Sequence, residues 1–146
     1  MKNLKRTNYL LLIFLLIFLA CNPPKKEVAD LTQKVKRYAS ITGLKPEKIA
    51  AYKKLHAAAW PAVLNKITAC NIKNYSIYLK EIEGKPYLFS YFEYTGKDFA
   101  ADMKKMAADT TTQRWWKETA PMQLPLPDAA AKGETWSGME EVFHQN

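Results

Sequence analysis

The chain has 146 residues, 48 % of them hydrophobic and 25 % charged, and its Lys and Arg outnumber Asp and Glu by 22 to 14, a formal charge of +8. That length gives room for one domain with a real core. The lysines are scattered without a recognised nucleic-acid motif, and His56 and His144 stand close in sequence neither to a cysteine nor to each other. The charge therefore reads as a solvated surface that favours anionic headgroups, and the composition points away from nucleic-acid binding and metal chemistry.

Lys2, Lys5 and Arg6 precede an apolar run from Tyr9 to Ala20, which breaks off at Cys21 before Asn22-Pro23-Pro24-Lys25-Lys26. A charged start, a short apolar stretch and a small residue before the break form a secretory signal, too short for a comfortable membrane span. Ala20-Cys21 resembles a bacterial lipoprotein signal, in which the cysteine takes lipid and becomes the first mature residue; Phe18 stands where leucine is usual. The expected organisation is a signal peptide over 1–20, a lipidated Cys21 opening a tether over 21–33, and a domain over 34–146 that is exported and anchored to a membrane. Losing the three signal charges lowers the formal +8 to +5. Cys70 is then the one remaining thiol, so no internal disulfide is expected.

Lys36 to Leu44 has strand composition, and Pro46 is placed to open a helix running to about Ala69. Pro61 falls inside that helix and predicts a kink just after His56. Tyr52 and His56, one turn apart, share a face with Ile49, Trp60, Val63 and Ile67. A phenol and an imidazole thus interrupt an apolar stripe, which points to a pocket; the ordinary alternative is a hydrogen-bonded core histidine beside a packing tyrosine. Ile72 to Glu83 and Lys85 to Tyr94 alternate as a hairpin punctuated at Glu83-Gly84-Lys85. A helical pattern over Lys97 to Ala108 continues through Arg114-Trp115-Trp116 until Pro121, and a Pro-rich crossing leads to a last strand around Glu140 to His144. The order βαββαβ is that of a ferredoxin-like α+β domain, an antiparallel sheet with helices on one face.

The spacing Tyr52-x-x-x-His56-x-x-x-Trp60-Pro61, the segment Asn74-Tyr75-x-Ile77-Tyr78-Leu79, the block Arg114-Trp115-Trp116-Lys117 and the closing Met139-Glu140-Glu141-Val142-Phe143 stand in a fixed order. Together, over about Lys36 to His144, they resemble the L-rhamnose mutarotase family. The resemblance implies a dimeric α/β barrel type of assembly built from two ferredoxin-like domains. It also implies a cofactor-free isomerase that interconverts the anomers of L-rhamnose or a related deoxyhexose, with His56 as proton donor and Tyr52, Tyr75, Trp115 and Trp116 as substrate contacts.

The residues themselves fit such chemistry. Tyr and Trp pair an apolar face with a polar handle, as sugars do, and an unperturbed histidine exchanges its proton near neutral pH. Each contact has a plainer alternative: Tyr75 as a strand aromatic, Trp115 and Trp116 as a helix-to-sheet plug, Arg114 as a surface charge. Adjacent helical residues point about 100° apart, so the two tryptophans should meet different surroundings. Two other functions stay open on the sequence: a lipid-anchored sugar-binding module without catalysis, and a small cofactor-free or haem-handling monooxygenase of the same architecture.

Overall fold

The computed structural model describes residues 35–145. The expected signal peptide, Cys21 and the tether lie outside the described residues. No helix among those described is long and apolar enough to cross a membrane.

The chain opens with β1 (Lys36–Leu44), and a short 3-10 turn at Pro46–Lys48 leads into α1 (Ile49–Ala57) and α2 (Pro61–Ala69). The single kinked helix expected over Pro46 to Ala69 is in fact two helices. A residue before proline is pushed out of the helical region, and Trp60 is extended with φ −64° and ψ 128°. Pro61 therefore starts α2 as its first residue instead of bending a continuous helix. Tyr52 and His56 stay on one helix while Trp60 becomes the hinge that follows it.

β2 (Ile72–Ile82) and β3 (Lys85–Tyr94) form the predicted hairpin, turning on Glu83 and Gly84, both at positive φ as a two-residue turn of this kind needs. Next come α3 (Phe99–Ala107) and α4 (Thr110–Thr119). The carboxylates of Asp98 and Asp109 cap them by accepting the backbone N–H of Ala101 and Thr112. Asp109 also pairs with Lys66 at 3.2 Å, tying α4 to α2. Buried Asp102 accepts bonds from Lys105, Asn71 and Tyr94, which fasten α3 to the ends of β2 and β3 and hold its carboxyl down to about 2.

The fourth strand position is split. β4 (Gln123–Leu124) pairs with the end of β1, α5 (Pro127–Ala130) follows, and β5 (Ser137–Met139) returns to pair with Ala39 to Ile41. The sheet is antiparallel in the order β2-β3-β1-β4, with β5 beside β4 on the same side of β1. This is the ferredoxin-like order with its outer strand in two pieces. The last strand expected around Glu140 to His144 thus lies earlier, at Ser137–Met139, where Ser137 pairs with Ile41 and its hydroxyl donates to Asp128. Val142 and Phe143, the apolar pair within the segment expected to form that strand, are 92 % and 81 % exposed.

Two core clusters join the helices to one face of the sheet. Leu44, Tyr52 and Leu88 form the first, and Cys70, Ile72 and Met106 the second. The inward rows of β1 and β3, which carry Leu44 and Leu88 together with the bonded pair Ser40 and Ser90, point the same way because directly opposed residues share a face.

Candidate functional site

Between these clusters the helices and the sheet enclose a cavity of about 610 Å³, within the range of small-molecule sites. Tyr52, His56, Tyr75, Trp115 and Trp116 all border it, although they come from α1, β2 and α4. Helical spacing in the sequence relates only Tyr52 to His56 in space; the family resemblance is what groups the other three with them.

Tyr52 is buried, and its ring stacks on that of His56 with centroids 4.0 Å apart. His56 Nδ1 lies 3.0 Å from the Tyr52 carbonyl oxygen. A carbonyl only accepts, so Nδ1 carries the proton and Nε2 is the nitrogen left free to exchange one. Burial lowers the His56 pKa from its ordinary 6.5, and the Tyr52 carbonyl, which favours the charged ring, offsets part of that. The imidazole is consequently neutral at pH 7. The Tyr52 phenol is pushed far up by burial, with Tyr75 adding to the shift, so Tyr52 stays a hydrogen-bond donor and not a base.

Trp115 and Trp116 part company as adjacent helical residues should. Trp115 is buried, standing edge-on to His56 at 5.2 Å and to Trp60 at 5.4 Å, whereas Trp116 is 42 % exposed where it borders the cavity. Arg114 does not reach the cavity wall; its guanidinium lies over Trp60, 5.9 Å from the ring centre. Glu140 and Glu141 are not on the wall either. Tyr75 is 43 % exposed and meets Phe92 edge-on at 5.7 Å, and desolvation raises the pKa of its phenol.

The excursion between the halves of the split strand supplies a wall that sequence reasoning missed. Gln123 opens it from β4, and Glu134, Thr135 and Trp136 close it before β5. The one available signal was an isolated tryptophan after the Gly133-Glu134 turn. Among the described residues, Glu134 and His56 are the wall's ionisable groups apart from the two phenols, and no Lys or Arg borders the cavity. Among the described residues no group of three or more His, Cys, Asp and Glu is placed to hold a metal ion.

Known proteins carry the same arrangement of sequence and fold. The family model for L-rhamnose mutarotase matches residues 37–145, nearly the whole described domain. The chain belongs to the L-rhamnose mutarotase family. It is 36 % identical over 110 residues to the L-rhamnose mutarotase of Bacillus subtilis, covering 75 % of this chain and 98 % of that one. Against the L-rhamnose mutarotase of Listeria monocytogenes serotype 4b the identity is 37 % over 110 residues, with the same coverage. The crystal structure of an L-rhamnose mutarotase from Formosa agariphila superposes with a TM-score of 0.57 at 23 % identity, covering 76 % of this chain and 99 % of that one, which supports the shared fold.

Proposed function

We propose that this mutarotase-family chain interconverts the α and β anomers of L-rhamnose or a related deoxyhexose, with His56 moving the proton. The observation that carries the reading is the tethered imidazole: Nδ1 is held by the Tyr52 carbonyl, and the neutral ring borders an aromatic cavity. Neutral Nε2 removes the proton of the anomeric hydroxyl. The C1–O5 bond then breaks to give the aldehyde and an oxyanion at O5, which the imidazolium protonates. Rotation about C1–C2 presents the other aldehyde face, and the same steps in reverse close the ring and return the imidazole to its neutral form. The Tyr52 phenol, which stacks on His56 at the cavity wall and stays protonated, is suited to donate to the transient oxyanion. A wall whose described residues include no Lys or Arg suits a neutral sugar better than a sugar phosphate or sugar acid, whose charge would lie buried without a counter-ion.

Saturation-transfer NMR between anomeric protons, run across a panel of sugars, tests the assignment. Exchange faster than buffer on a deoxyhexose is the expected result. Binding without accelerated exchange on any sugar would favour the non-catalytic sugar-binding module, and turnover of O₂ would favour the monooxygenase.

The pH dependence follows from His56. Because its folded pKa lies below 6.5, the exchange rate should be flat above pH 6.5 and fall as the pH drops through the lowered value and the base is lost. Stability should fall in the same window. Below pH 6.5 the unfolded chain binds the proton first, so the contribution of the neutral histidine, full above 6.5, is lost toward the folded pKa. A rate that rises on acidification would reject the neutral base.

The assembly is proposed to be a homodimer joined through the sheet face that the helices leave open. Ile41, Phe89 and Tyr78 lie opposite one another across β1, β3 and β2 on that face, and Tyr78 is 63 % exposed. Ile82, Leu124 and Met139, at 43 %, 46 % and 46 %, extend the patch. Light scattering of the domain from Lys34 onward should give twice the mass of one chain, and Phe89→Arg should give one; a wild-type monomer at micromolar concentration would reject the dimer.

Export and anchoring at Cys21 are likewise proposed, from the charged start, the apolar run and Ala20-Cys21. Metabolic labelling with a fatty acid should mark the full chain and be abolished by Cys21→Ala. Label retained in that variant would reject the site.

A further inference from the structure

Tyr75 reaches the cavity only because β2 is irregular. Lys73 lies opposite Glu93 and Ser76 opposite Tyr91, so Asn74 and Tyr75 together face the single residue Phe92. Two residues against one is a β-bulge, a feature common at sheet edges and beside active sites, and β2 is an edge strand. With regular pairing, Asn74 would oppose Phe92 and Tyr75 would oppose Tyr91, on the open face away from the helices. The extra residue turns Tyr75 to the face of Phe92, whose ring it meets edge-on.

The bulge is held from the opposite side of the sheet. Asn74 takes φ +50°, a left-handed conformation that asparagine tolerates better than most residues. Its Nδ2 donates to Glu93 Oε2 at 2.7 Å, while the Tyr91 hydroxyl donates to Glu93 Oε1 at 3.1 Å. Both carboxylate oxygens are thereby used, one to hold the bulge and one to fix the carboxylate. Glu93 does not border the cavity. We infer that Glu93 is a positioning residue for the mutarotase site, locking Asn74 in its left-handed conformation and so aiming Tyr75 at the bound sugar. The inference rests on the reading of the cavity as the sugar site, but the bulge itself can be examined without any sugar.

A double-mutant cycle on the full chain tests it. Tyr75→Ala and Glu93→Ala should each raise KM for the exchanging sugar about tenfold with kcat changed much less, and the double variant should be no worse than Tyr75→Ala alone. Glu93→Gln, which keeps an oxygen acceptor for Asn74, should restore most of the loss. Asn74→Asp sets a second carboxylate against Glu93 and should reproduce Glu93→Ala even where that truncation folds poorly. A merely structural glutamate would lower the melting temperature with KM unchanged, or would add its full penalty to that of Tyr75→Ala; either result overturns the proposal. Nuclear Overhauser contacts between the Tyr75 and Phe92 rings, present in the wild type, should vanish in Glu93→Ala and Asn74→Asp without sugar present. Their persistence in both variants would overturn the positioning role, whereas a wild type with the contacts but no anomer exchange would overturn the reading of the cavity and leave the bulge assignment standing.

Discussion

His56→Ala is expected to slow anomer exchange at least about a hundredfold, the usual worth of a positioned acid or base. The stack on Tyr52 and the bond to its carbonyl fix the imidazole, and neither phenol can replace it as a base, since a phenol is already protonated at pH 7 and desolvation raises both further above their ordinary value. Glu134, which is exposed, is the remaining ionisable group among the described residues that border the cavity. His56→Asn separates shape from proton transfer: its side-chain amide can still donate to the Tyr52 carbonyl but cannot titrate. Both variants should bind sugar nearly as well as the wild type, and both should lose the acidic limb of the pH profile. The measurement is the anomeric exchange rate by saturation transfer, with the sugar dissociation constant taken alongside. An unchanged rate in both variants would remove His56 from the mechanism.

The parts of the fold legible in the sequence are those written by local rules. The Glu83-Gly84 turn, the alternation of β2 and β3, and the Tyr52 and His56 spacing each depend on residues within a few positions of one another. What stayed hidden depends on distant partners. The outer strand is set by where β1 offers unpaired backbone, so Gln123–Leu124, which reads as part of a proline-rich crossing, becomes a strand, while the more strand-like Glu140 to His144 does not. The break at Trp60 shows a subtler limit. Pro61 was visible, but a proline within a long helical pattern can bend the helix or begin a new one, and the extended conformation of the residue before it decides which. The same holds for the site: the family motif places His56, Tyr75 and the tryptophan pair in one pocket, whereas Trp136 follows no periodic pattern and enters the wall only because the excursion returns to β1.

Trp115→Ala and Trp116→Ala should fail in different ways. Trp115 is buried and supports the turn that carries His56, meeting His56 and Trp60 edge-on at the junction of α1 and α2. Its truncation leaves a void in a packed interior and is expected to cost about 3–5 kcal/mol of stability, with the imidazole losing its wall. The melting temperature should drop sharply, and residual folded protein should show a reduced kcat because His56 is no longer held. Trp116, 42 % exposed at the cavity, supports little of the core. Its truncation should leave the melting temperature nearly unchanged and raise KM, because the loss is of apolar contact with the sugar and not of proton transfer. Thermal unfolding together with a KM and kcat split measures both. Equal loss of stability in the two variants would mean that the pair acts as a single packing unit, and it would leave Trp116 without a role as a substrate contact.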